Sequence, residues 1–106
     1  MKYSMIKYQL TNGTSEEWHR EIDRFIAALN SDPELKGRIS YRCMKNRDDS
    51  SYTHLAAAAD DAAIKTLQSR DFFRHYQEKT RQVAGGHVTV TPVELIAETA
   101  AQDMAR

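Results

Sequence analysis

Two hydrophobic periods alternate along this 106-residue chain, and their order restricts the fold more than any other feature. Residues 3–10, YSMIKYQL, have a period of two, with Ile6, Tyr8 and Leu10 on one side and Tyr3, Met5 and Lys7 on the other. Successive side chains of a strand point to opposite faces, so this pattern predicts a strand with one well-buried face. Asn12-Gly13 breaks the run, and Thr14 followed by Glu17 matches a capping box at a helix start. Beyond it, Trp18, Ile22, Phe25, Ile26 and Leu29 fall at helical spacing on an otherwise charged background. Pro33 and Gly37 mark the turn after this helix.

The shorter period returns at residues 38–45, where Ile39, Tyr41 and Cys43 oppose Arg38, Ser40, Arg42 and Met44. The polar run NRDDSS reads as a hairpin connection. Residues 52–59, YTHLAAAA, contain four alanines that favour helix on propensity alone. The hairpin turn before them and the fresh N-cap at Asp60-Asp61 favour a strand instead. A second helical region is expected from about Asp61 to Val83, broken at Ser69-Arg70-Asp71 and ended by Gly85-Gly86 at positive φ. Residues 87–97 predict the last strand, which Pro92 confines to an edge or a bulge. Residues 98–106 are left as a C-terminal tail, expected as a frayed turn of helix.

The order β-α-β-β-α-β predicts the α+β class: a single ferredoxin-like domain over residues 1–97, with a four-stranded antiparallel sheet and the helices on one face. An antiparallel sheet leaves its other face wet only where that face is polar. Here that face carries Tyr3 and Met5, so an identical subunit is expected to cover it, giving a homodimer.

Fifteen basic residues balance fifteen acidic ones. The nearest approach to a basic patch, Arg38, Arg42, Lys45 and Arg47, is followed at once by Asp48 and Asp49, so no nucleic-acid partner is expected. The single cysteine, Cys43, rules out an intramolecular disulfide and a thiolate metal cluster within one chain. The first ten residues lack the apolar run of a signal peptide, and no stretch has the length of a membrane span. The cytoplasm is the expected location. Phosphate loops, dinucleotide glycine signatures, nucleophile elbows and paired-histidine zinc helices are all absent.

Over residues 3 to 97 the chain resembles the dimeric α/β-barrel superfamily, in particular its antibiotic-biosynthesis-monooxygenase-like group. The segment from Ala57 to Val83 carries the likeness: a strand, an acidic-capped short helix, Ser69-Arg70-Asp71-Phe72-Phe73, then Tyr76-Gln77 in a longer helix. The resemblance implies a dimeric barrel and, in its metal-free branches, oxidation of an electron-rich phenol or enol that loses a proton and passes an electron to oxygen. No cofactor is then required. The haem-degrading branch is similar around Thr11–Thr14 and Ser69–Phe73, but the places of its active-site asparagine, tryptophan and iron-ligating histidine hold Ile6, Leu67 and Gln77. His75 lies two positions from the ligand place, about 200° around the helix. Iron ligation is therefore not carried over.

The candidate catalytic residues are His54, Tyr8 and Tyr76, and the candidate substrate-binding residues are Arg42, His75, Trp18 and Phe73. His54 is the leading proton acceptor, since imidazole works near neutral pH with little perturbation; its plainer reading is a partly exposed histidine on the dimer-facing side of the sheet. Tyr8 is expected on the helix-facing side, where a tyrosine is ordinarily core with a satisfied hydroxyl. Tyr76 continues the stripe of Phe72 and Phe73, with its hydroxyl expected at a pocket rim. His75, beside Arg74, Gln77 and Glu78, reads as solvated, and Arg42 as a surface cation. Two functions stay open: a cofactor-independent monooxygenase acting on a small aromatic or quinol-type metabolite, and a noncatalytic dimeric module that binds a small aromatic ligand.

Overall fold

The computed structural model describes residues 1–100. Its elements follow the expected order: β1 (Lys2–Gln9), α1 (Ser15–Ser31), β2 (Ile39–Lys45), β3 (Ser51–Ala58), α2 (Asp61–Gln68), α3 (Asp71–Val83) and β4 (Val88–Val93). The strands form one antiparallel sheet in the order β2-β3-β1-β4. The alanine-rich segment is the central strand β3, so the two interfaces it forms with β1 and β2 outweigh its helical propensity. Among the described residues, no helix is long and apolar enough to cross a membrane.

Register decides which side chains share a face. Ile6 lies opposite both His54 and Val90, Tyr8 opposite Tyr52 and Val88, and Cys43 opposite His54. Tyr8, Tyr52 and His54 therefore occupy one face with Tyr41 and Cys43. The helices cover this face through the stripe Trp18, Ile22, Phe25 and Leu29 of α1 and through Tyr76 and Thr80 of α3. The opposite face carries half-buried Tyr3, Met5 and Leu55, exposed Arg42, and Met44 at 48% exposure.

Three local expectations are corrected. At the start of α1, the Thr14 hydroxyl accepts from the Glu17 amide at 3.2 Å, but the Glu17 carboxylate takes that same hydroxyl at 3.1 Å and not the Thr14 amide, so only half of the capping box forms. The last strand ends at Val93, short of residue 97, because its partner β1 ends at Lys2 and pairing stops at Tyr3↔Val93. In the expected tail, residues 98–100 are not helical, and residues 101–106 lie outside the described residues.

The second helical region divides where expected. Ser69 caps α2, and Arg70, with extended backbone, starts α3 without a side-chain cap. The Arg70 guanidinium bonds to both oxygens of Asp32 at 2.7 and 3.3 Å and to Glu34 at 2.6 Å, tying the α2–α3 break to the end of α1. Gly85 has φ +64°, and a Cβ there would lie 2.7 Å from the Thr11 hydroxyl. Both the positive φ and the close approach require glycine.

Candidate functional site

The sheet face beneath the helices holds a chain of polar side chains inside an aromatic shell. His54 on β3 has no solvent exposure. Its Nε2 lies 2.7 Å from the Tyr8 hydroxyl, and its Nδ1 lies 2.9 Å from the Tyr41 hydroxyl and 3.2 Å from that of Tyr76. The Trp18 indole N–H donates to the Tyr8 oxygen at 2.8 Å. Rings fill the space around these groups: Tyr8 stacks on Tyr52 at 5.3 Å, Trp18 on Tyr76 at 5.7 Å, and Phe25 on Tyr76 at 3.9 Å. Among the described residues, no buried side-chain polar atom lacks a hydrogen-bond partner.

Counting hydrogens assigns a direction to this chain. Indole nitrogen only donates, so the Tyr8 oxygen is an acceptor from Trp18. The Tyr8 proton then has one partner, Nε2 of His54, which must be the unprotonated ring nitrogen. The imidazole hydrogen therefore sits on Nδ1 and points at the hydroxyls of Tyr41 and Tyr76. The other neutral tautomer would leave the Tyr8 proton without an acceptor in the core, at a cost of about 1–3 kcal/mol, whereas the proton left over here belongs to the pair Tyr41 and Tyr76, of which Tyr41 is only half-buried. Burial also disfavours a charged ring: the His54 pKa is lowered to about 4, so the residue is neutral at physiological pH. Burial pushes the ionisation of Tyr8, Tyr41 and Tyr76 far above the ordinary phenol range. The three tyrosines are hydrogen-bond donors there, not phenolates.

Tyr41 and Tyr76 also wall a cavity of about 510 Å³ between the sheet and helices α2 and α3. Its apolar lining includes Ile6, Ile39, Ile64, Leu67 and Phe73. The alanines of β3 explain its position: Ala56 and Ala58 present methyl groups on the face where Tyr52 and His54 present rings, so the core is solid at one end of the strand and hollow at the other. The volume suits a small ligand. Ile6, Leu67 and Gln77, the places matched to the active-site groups of the haem-degrading branch, all line it. The lining contains neither histidine nor cysteine, and the described residues hold no group of three or more His, Cys, Asp or Glu able to bind a metal ion.

The sequence candidates separate into three sets. His54, Tyr8, Tyr76 and Trp18 belong to one hydrogen-bonded or stacked cluster, and Phe73 joins Tyr76 in the cavity wall. Arg42 is exposed on the opposite sheet face, and His75 is exposed on α3 with Nε2 3.2 Å from Glu21; neither lines the cavity. His54 is not the partly exposed histidine of its plainer reading, because its register with Ile6 and Cys43 turns it under the helices. It stands behind the two phenols and outside the cavity lining. The Tyr76 hydroxyl points to the His54 ring instead of marking a rim. Tyr41 was missed as a site residue. Its alternation with Ile39 and Cys43 places it on the right face, but only the pairing of β2 with β3 sets it diagonal to His54.

No family model matches the chain, and neither does any curated protein sequence. Solved structures do. An antibiotic biosynthesis monooxygenase superposes with a TM-score of 0.73 at 10% identity, covering 92% of this chain and 100% of that one. Rv0793 from Mycobacterium tuberculosis gives a TM-score of 0.73 at 11% identity, over 93% of this chain and 98% of the other. SnoaB, a cofactor-independent oxygenase from Streptomyces nogalater, gives 0.66 at 17% identity, over 99% and 98%. The chain has the ferredoxin-like fold of these proteins over nearly its full length.

Proposed function

We propose that this chain, which shares its fold with a cofactor-independent oxygenase, is itself a monooxygenase-like protein acting on a small aromatic or quinol-type metabolite in the cavity between sheet and helices. The observation that carries the reading is the cavity of about 510 Å³, apolar on most sides and walled by two tyrosines whose hydroxyls meet at one histidine nitrogen. An apolar lining with a few convergent polar groups is the usual form of a small-molecule site. In such a reaction one oxygen atom replaces two hydrogens of the substrate and the other leaves as water, so the substrate supplies all four electrons and no external reductant is needed. The protein orients the ring, excludes water and steadies the charge that develops on the substrate oxygen.

Tyr8 and His54 act through their neighbours in this reading, fixing Tyr41 and Tyr76 in the cavity wall, while Phe73 packs against the guest. Oxygen uptake with a panel of hydroquinones and hydroxynaphthalenes, in chelator-treated buffer, tests it. The expected result is saturable uptake with one oxygen consumed per substrate, reduced at least about tenfold in Tyr76→Phe. The rival is a noncatalytic aromatic-binding module of the same fold, and one feature favours it: the lining holds neither histidine nor carboxylate, and its phenols stay protonated near neutral pH. Tight binding with no oxygen consumed would decide for it. We further propose that the working form is a homodimer in which a second copy covers Tyr3, Met5 and Leu55, and that it resides in the cytoplasm.

A further inference from the structure

We infer that Tyr52 and His19 form a redox-active pair: an oxidising equivalent entering the aromatic cluster comes to rest on Tyr52 as a neutral tyrosyl radical, with the phenolic proton on His19. The oxidant is a one-electron acceptor of the organic peroxyl class. The pair stands whether or not the cavity oxidises a guest.

The rings form a continuous line from the cavity wall to the surface. Tyr76 stacks on Trp18 with centroids 5.7 Å apart. Trp18 meets Tyr8 edge-on at 6.2 Å and through its indole hydrogen bond. Tyr8 lies parallel to Tyr52 at 5.3 Å, with 1° between the planes. Tyr52 meets the ring of exposed His19 at 5.8 Å. Each ring touches the next, so an electron can pass along the line.

The protons decide where the radical settles. Oxidation turns a phenol into a strong acid, and the radical rests where a base can receive its proton. Trp18 faces the Tyr8 oxygen, which already carries its own proton. Tyr41 and Tyr76 face the hydrogen-bearing Nδ1 of His54. Tyr8 faces Nε2 of His54, but an imidazolium there would have no solvent exposure, and burial already keeps that ring neutral down to about pH 4.

Tyr52 differs. Its hydroxyl lies 2.8 Å from Nε2 of His19. Tyr52 is only 3% exposed, so its proton needs that nitrogen as acceptor, and the His19 hydrogen belongs on Nδ1. An imidazolium at His19 is hydrated, and it shares a groove of about 350 Å³ with the opposite charges of Asp23 and Lys45. Burial raises the ionisation of Tyr52, so the hydroxyl keeps its proton until the ring is oxidised. In the step, Tyr52 loses one electron through the rings and one proton to His19. The peroxyl radical gains the electron and becomes a peroxide anion, which takes a proton from water. A thiol then returns an electron, His19 returns the proton, and a thiyl radical leaves.

The test flash-oxidises the intact protein with photogenerated ruthenium(III) tris-bipyridine, in a Tyr3→Phe background that removes the tyrosine outside the cluster. Transient absorption and freeze-trapped electron paramagnetic resonance follow the radical. The expected result is a neutral tyrosyl signal that is absent in Tyr52→Phe, although Tyr8, Tyr41 and Tyr76 remain. In His19→Gln, which keeps a hydrogen-bonding group but no base, the signal should form at least about tenfold more slowly. A signal undiminished in Tyr52→Phe, a persistent tryptophan radical, or an unchanged rate in His19→Gln would each overturn the inference. Electron–nuclear double resonance on the protein with Tyr52 and His19 intact gives a second readout that does not depend on how those variants fold. The radical oxygen should couple to one exchangeable proton, that of His19, and lose the coupling in heavy water. No exchangeable coupling, or the two that Trp18 and His54 would give a radical on Tyr8, would also overturn it.

Discussion

A charged imidazole at His54 would have no water around it and no carboxylate among its hydrogen-bond partners. That predicts a specific loss of stability in acid. The unfolded chain takes up this proton near pH 6.5, while the folded chain resists it down to about 4, so the unfolded state binds more protons across that interval. Stability is complete above pH 6.5 and falls as the pH drops towards 4, by about 3 kcal/mol in all. Urea midpoints measured across this range should fall for the native chain and stay flatter for His54→Asn. At the other end of the polar chain, Trp18 is 2% exposed and anchors Tyr8 and Tyr76. Trp18→Ala should cost about 3–5 kcal/mol in a denaturant titration, through the cavity it leaves. Trp18→Phe keeps much of the volume but removes the donor to Tyr8, which frees the tautomer of His54, so the histidine NMR signature should change while the fold survives.

At the scale of elements, the sheet face, the helix caps and the break between α2 and α3 each follow from short stretches of chain. Thr14→Ala should cost about 1 kcal/mol, because the Glu17 amide loses its acceptor and only half of the capping box exists to replace it. The triangle of Arg70, Asp32 and Glu34 joins two helix ends that are distant in sequence. The guanidinium holds the Asp32 carboxyl below the usual carboxylate range. Arg70→Ala should lower the melting temperature and speed amide exchange in the 32–39 turn, with α1 itself unaffected. Much of this scale was legible beforehand. Ser69-Arg70-Asp71 marks a break in helical periodicity, and Gly85-Gly86 marks a reversal at positive φ, because each depends on neighbours within a few residues. The length of β4 was not legible, since a strand ends where its partner ends.

At the scale of the whole molecule, one sheet face lies under three helices and the other lies open with Tyr3, Met5, Leu55 and Met44 on it. The proposed second copy would cover that face. Sedimentation at micromolar concentration should give a dimer, and Leu55→Lys should shift it towards monomer with the cavity residues left in place. A native monomer would refute the arrangement.

What the sequence determined by itself was the succession of elements and the faces within each one, because periods of two and 3.6 are properties of a local backbone. It placed Tyr8 on the helix-facing side and Trp18 on the apolar stripe of α1 without further help. Three things were decided only in the tertiary structure: the burial of His54, the part played by Tyr41, and the cavity beside the alanines of β3. Each depends on the register between strands and on how closely a helix approaches the sheet. Those contacts join residues 13 to 46 positions apart, and no local pattern encodes their alignment.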